Sequence, residues 1–235
     1  MRRRLSAVIV TVAALWSAAI AVGAFAQTAD VTLTTHGAGQ STGILAVLRS
    51  SDPTAPGAKP KRLARLVITF PAHTRFDLAT ALVRPCALTD KELTTPFGPT
   101  CPSKSKVGSG SAVANASPLQ QTVKATVTAY VHSAAQILLV VTPSLPGATP
   151  IIIHVTATGS RLEIPVPRVV LGQGPGFPGI TAVFVSLTLR VPVLGKGGDA
   201  LVRAGRCTSH RFVVRSRFVY DDHSIGDIRS TSPCG

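Results

Sequence analysis

Apolar and polar residues alternate with a period of two along most of this chain, and a helical period hardly appears. Val31 to His36 and Ile44 to Arg49 set β-branched or apolar residues against small polar ones on either side of the glycine-rich stretch Gly37 to Gly43, which predicts a first hairpin. The pattern resumes at Leu63 to Phe70, where Pro71 ends it, and returns at Val107 to Ala114, Thr122 to His132 and Gln136 to Thr142, the last two joined by a tight turn at Ser133 to Ala135. Beyond the breaking run Pro143 to Pro150 come Ile151 to Ala157, Arg161 to Arg168, Thr181 to Val191 and Arg211 to Tyr220. About ten strands at this spacing, separated by turn residues, predict a β-sandwich or barrel. In Arg211 to Tyr220 the two faces separate cleanly. Phe212, Val214, Phe218 and Tyr220 lie on one, and Arg211, Val213, Arg215, Arg217 and Val219 on the other. The first face predicts core and the second a basic, partly solvated surface. One helical turn is expected at Leu88 to Leu93, and the Pro- and Lys/Arg-rich residues 50–62 predict a solvated loop.

The amino-terminal segment departs from this pattern. Arg2, Arg3 and Arg4 precede an apolar run from Leu5 to Val22, and Ala24-Phe25-Ala26 supplies the small residues a signal peptidase needs. Residues 1–26 are therefore expected to be an export signal cut before Gln27. An uncleaved anchor is the competing reading, because the run approaches the roughly 20 residues that span a bilayer. No transmembrane segment is expected after cleavage. An outer-membrane barrel needs aromatic girdles, whereas loss of the signal removes Trp16 and leaves Tyr130 and Tyr220 as the only tyrosines. Residues 27–235 are expected to form a single antiparallel β-sandwich, Ig-like or jelly-roll-like, with two Ig-like halves joined near Pro143 to Pro150 as the alternative.

An even number of cysteines in an exported chain reads as disulfides. The four fall as two near pairs, Cys86 with Cys101 and Cys207 with Cys234, and of the three connectivities local pairing is the simplest. A zinc site is the rival, but there is no C-x-x-C and no histidine at ligand spacing, so no metal or cofactor is expected.

Charge adds a second theme. The chain carries 24 Lys and Arg against 10 Asp and Glu, a net charge of +14, of which three charges leave with the signal. Arg outnumbers Lys and Asn115 is the sole asparagine, a bias of high-GC bacterial genomes. Such an excess favours association with anionic polymers or membrane surfaces and says nothing of fold. Lys59, Lys61, Arg62 and Arg65 form one basic cluster. Arg203, Arg206, Arg211, Arg215 and Arg217 form another and are the candidate anion-binding residues, an anionic cell-envelope polymer being the expected partner. Sequence-tolerant nucleic-acid grooves interleave aromatic platforms with the cations. These clusters are poor in aromatics, so no specific nucleic acid is expected; the plainer alternative is a solvated basic surface.

No constellation specifies a reaction, and no catalytic residue is assigned. His36-Gly37-Ala38-Gly39 reads as a hairpin loop, since no G-x-S-x-G elbow accompanies it. Asp221, Asp222 and Asp227, with His210 and His223, are the one group to weigh for acid–base chemistry, although Asp after a strand ordinarily caps its own turn. Glu163 stands alone where a glycosidase needs two carboxylates. Gly172-Gln173-Gly174-Pro175-Gly176 lacks the helix and the lysine of a phosphate loop and reads as a turn.

Around the cysteines the chain resembles a known group. The stretch FPAHTRFDLATALVRPC, from Phe70 to Cys86, and CPSKSKVGSGSA, from Cys101 to Ala112, are similar to a pattern in uncharacterised secreted β-sandwich proteins of actinobacteria, where C-P-x-x-S-x-V-G-x-G follows a strand, an FD segment and a cysteine. The tail CTSHRFVVRSRFVYDDHS and the final SPCG resemble that group's closing C…F…F-x-Y-x-D-G…C element, with His223 where the group tends to have glycine. The resemblance covers the middle and end of the chain and implies a secreted β fold without an established activity. The expectation is thus a secreted or cell-envelope protein, non-enzymatic, structural or adhesive. The alternatives are a binding module for an anionic envelope polymer and a hydrolase with an unrecognised Asp/His site.

Overall fold

The computed structural model describes residues 26–51, 62–95, 98–117, 121–145, 148–171 and 180–235. Most of the expected export signal, the loop holding Lys59 and Lys61, and the Gly172 to Gly176 turn lie outside the described residues. The elements are β1 (Ala26–Leu33), β2 (Ile44–Ser51), β3 (Leu63–Thr69), β4 (Arg75–Phe76), α1 (Asp90–Thr94), β5 (Lys106–Ser117), β6 (Gln121–Ser133), β7 (Gln136–Pro143), β8 (Ile151–Thr158), β9 (Arg161–Pro165), β10 (Val169–Leu171), β11 (Ile180–Val191), β12 (Val202–Arg203), β13 (Arg211–Tyr220) and β14 (Ile225–Pro233).

The fold is all-β and antiparallel, as expected. Twelve strands make one sheet in the order β1-β2-β11-β5-β6-β7-β8-β9-β3-β13-β14, with β10 against β11. The sheet is barrel-like rather than clearly a sandwich. A twisted sheet of this many strands curls on itself, and its two ends meet where β14 lies beside β1. There the Ser230 hydroxyl accepts a hydrogen bond from the Val31 N–H at 3.0 Å and donates one to the Ala29 carbonyl at 2.7 Å. A side chain, not a strand ladder, bridges the seam. Strands from the two halves of the sequence mix, since β11 sits between β2 and β5, and β3 between β9 and β13.

Period two puts the apolar face inside. On β6, Val123, Val127, Ala129 and Val131 are buried while Thr122, Lys124 and Thr126 are exposed. On β13, Phe212, Val214 and Phe218 are fully buried, as the alternation predicts. An apolar interior and a polar outer face are the inverse of a lipid-facing barrel with a wet lumen. Among the described residues no helix is long and apolar enough to cross a membrane. One end of the interior is filled by Phe70 and Phe76, edge to face at 5.2 Å, with Leu78, Leu201 and Val202; these come from the end of β3, from β4 and β12, and from the flanks of those two.

Both local disulfides form. Cys86 and Cys101, 5.3 Å apart at Cα, close a loop outside the barrel. In that loop Cys86 and Leu93 pack with Leu138, whose side chain points outward from β7. The loop's single helix, α1, is set by a capping box: the Glu92 N–H donates to the Thr89 hydroxyl and the Thr89 N–H to the Glu92 carboxylate. Cys207 and Cys234, 5.9 Å apart at Cα, tie the end of β14 to the segment entering β13.

Candidate functional site

The five sequence-selected arginines do not form one group. Arg211, Arg215 and Arg217 project outward from β13, and Arg206 is exposed just before it. Arg203 belongs elsewhere. It lies in β12, opposite Arg75 of β4, half-buried, with its Nε buried and unpartnered. Sheet register brings in two arginines that the sequence reading missed. Arg229 of β14 is directly opposite Arg215, and Arg215 is opposite Thr69 of β3, which is opposite Arg161 of β9. The row Arg229, Arg215, Thr69, Arg161 thus crosses four strands, roughly 14 Å at ordinary strand spacing.

The next row holds the acids. Asp227 is opposite Arg217 and accepts hydrogen bonds from its Nε at 2.9 Å and its Nη2 at 3.3 Å. Those hydrogen bonds, and then the charge of Asp227, raise the Arg217 pKa further. Glu163 is shared by Arg65 at 3.0 Å and Arg161 at 3.2 Å. Both acids of this face are therefore engaged. Arg211, Arg215 and Arg229 are exposed and form no ion pair among the described residues, nor does Asp30, the exposed acid of β1. Like charges directly opposite on paired strands destabilise by tenths of a kcal/mol up to about 1. The fold tolerates that repulsion at Arg215 and Arg229.

The acid–base group is split: His223 stays in one turn with Asp221 and Asp222, but His210 does not. His210 enters β13 while Asp221 and Asp222 leave it, so a ten-residue strand, about 30 Å long, separates them. The Asp221 carboxylate accepts from Arg62 at 2.8 Å, and Asp222 accepts from the Ser224 N–H at 3.0 Å as a turn former. His223 adopts the left-handed conformation, φ 63°, at the position where the resembling group has glycine. The hairpin turn forms, with the His223 N–H on the Tyr220 carbonyl at 3.0 Å. A second histidine pair is structural in its contacts. The His132 Nδ1–H donates to the Cys86 carbonyl at 2.8 Å, and His154 Nε2 is 3.0 Å from both carboxylate oxygens of Asp90, which fastens the disulfide loop to β6 and β8. Among the described residues no three His, Cys, Asp or Glu are placed to hold a metal ion.

The interior is not full. An apolar cavity of about 130 Å³ occupies the half of the barrel away from the aromatic floor, lined by residues such as Val123, Ala125, Val141, Ile153 and Phe184. A smaller one of about 50 Å³ lies against the floor, and Leu48, Leu139, Ile164 and Leu187 line both. The cause is legible in β5, whose inward positions beyond Val107 are Gly108, Gly110, Ala112, Ala114 and Ala116. The glycines are required because a Cβ at either would strike the backbone carbonyls of Arg190 or Thr188 on β11. The small residues of VGSGSAVANA are the sequence signal for this space; their alternation by itself predicts only a strand.

Set against known proteins, the chain matches no family model, no curated protein and no solved structure.

Proposed function

We propose that this is an exported, non-enzymatic protein that adheres to an anionic polymer of the cell envelope through the arginine face of β13, β14 and β9. One observation carries the reading: Arg215 and Arg229 face each other across two paired strands, exposed, with Asp227 and Glu163 already bound to other arginines. A polyanion laid across the row would neutralise a repulsion that the protein itself leaves in place. Guanidinium suits this task, because its planar fork binds phosphate or carboxylate through two hydrogen bonds. Two disulfides agree with an oxidising setting, as does the arginine-led apolar leader of residues 1–26. Engagement of Asp221 by Arg62 and of Asp222 by the Ser224 N–H, with His210 a full strand away, weighs against the hydrolase alternative.

The test is retention of the disulfide-intact protein on isolated wall fragments and on heparin, eluted with rising salt. Binding is expected to fall steeply with salt, and Arg215→Ser to elute earlier than the wild type. Retention indifferent to salt, or unchanged in Arg215→Ser, would end the proposal.

A further inference from the structure

We infer that the two interior cavities form one blind apolar slot that takes a single unbranched acyl chain, leaving the polar head of the amphiphile outside the barrel. Every side chain lining either cavity is hydrocarbon. A polar group inside would lose its hydrogen bonds to water and find none in exchange. Water there fares no better, since an ordered water needs two to four polar partners.

Exposure gives the slot a direction. Phe70, Leu78, Leu201 and Val202 at the floor are buried. Val141, Ile151, Ile153, Val166 and Phe184 line the larger cavity yet are only half-buried, so solvent reaches that end. The larger cavity, about 130 Å³, is close to the roughly 150 Å³ that accommodates benzene in an engineered protein cavity. A ring would use that half alone. A chain uses both, because on β6 the lining runs from Val123 to Ala129, about 20 Å along the strand, and the shared waist is three leucines and an isoleucine whose rotamers can part. Length and the absence of polar lining together favour an acyl chain.

The experiment is calorimetric titration of the disulfide-intact protein with dodecanoate below its micellar concentration, with butyrate and dodecanol alongside. One dodecanoate per barrel is expected, bound at least tenfold more tightly than butyrate, and dodecanol is expected to compete for the same site. Ala112→Leu fills the larger cavity from β5 and is expected to lose at least tenfold in dodecanoate affinity while keeping wild-type circular dichroism. Ala125→Leu, opposite it on β6, gives the same reading if Ala112→Leu does not fold. Arg215→Ser is expected to bind dodecanoate as the wild type does, which separates this site from the polyanion face. No dodecanoate binding by the wild type, no chain-length preference, or full affinity in the filled variants would overturn the inference.

Discussion

Replacing Arg229 by glutamate should make the protein more stable and less adhesive at once. In the native sheet Arg229 and Arg215 are register partners, both exposed, so the substitution converts a like-charge pair into an opposite-charge pair between directly opposed residues. Exposed cross-strand pairs are worth about 0.2–1 kcal/mol relative to a neutral pair. Changing the sign therefore swings stability by roughly 0.5–1.5 kcal/mol. At about 2–4 °C per kcal/mol for a chain of this size, Tm should rise by roughly 1–6 °C. The rise should shrink with added salt, because the Debye length is about 8 Å at physiological ionic strength. The assay is paired thermal and urea unfolding with disulfides intact; the urea slope should not change, since the surface exposed on unfolding is the same. Heparin elution is measured on the same samples, and Arg229→Glu should leave the column before Arg215→Ser because it adds a negative charge as well as removing a positive one. A lowered Tm would refute the register argument. A raised Tm with unaltered retention would show that the arginine face is not the adhesive surface.

Ser230→Ala should open the barrel seam, because it strands the buried Val31 N–H and the Ala29 carbonyl together. Two unsatisfied backbone groups cost about 2–4 kcal/mol, seen as a Tm lowered by roughly 5–15 °C and as faster amide exchange at Val31; exchange at the wild-type rate would refute the bridging role. Tyr220 supplies the pH dependence. Burial of its phenol, and then the charge of Asp222, push its pKa up to about 12, against about 10 in the unfolded chain. The folded state therefore holds an extra proton between those values, so stability is intact below about pH 10 and declines from there to about pH 12. Tyr220→Phe should flatten that decline in urea titrations. At neutral pH it should be neutral or stabilising by up to about 1 kcal/mol, because the buried hydroxyl has no hydrogen-bond partner. A decline of the same depth in Tyr220→Phe would assign it to another group.

Most strands were legible because their inward positions are apolar and their ends carry turn residues. Predicted Arg211 to Tyr220 coincides with β13, and Ile44, Leu63, Gln136 and Ile151 each begin a strand where predicted. β14 was not legible. Its buried positions are Ser230 and Ser232, so no hydrophobic alternation announces it, and it is recruited by the ladder that β13 offers and by the Cys207–Cys234 bond. The arginine face was half visible for the same reason. Arg211, Arg215 and Arg217 follow from period two within one strand, whereas Arg229 and Arg161 reach the row only through pairings whose register depends on the Asp221 to Ser224 turn and on β3. Arg203 is near them in sequence only, because pairing with Arg75, distant in the chain, places it in another sheet.

The unfilled half of the barrel was invisible for a different reason, since a cavity is a sum over strands that no single strand displays. Bulk is distributed unevenly along the axis: Phe70, Phe76, Leu78 and Leu201 crowd the floor, while the other half faces the alanines of β5 with Ile151, Ile153, Ile164 and a single phenylalanine, Phe184. Close approach of β11 explains glycine at 108 and 110, but it does not explain alanine at 112 and 114, which border open space. Filling such space with larger aliphatic side chains commonly stabilises a protein by about 0.5–2 kcal/mol. If packing alone governed these positions, leucine would serve better than alanine. Ala112→Leu is therefore expected to raise stability while abolishing chain binding. That opposition of signs separates a slot maintained for a ligand from a defect left in a core.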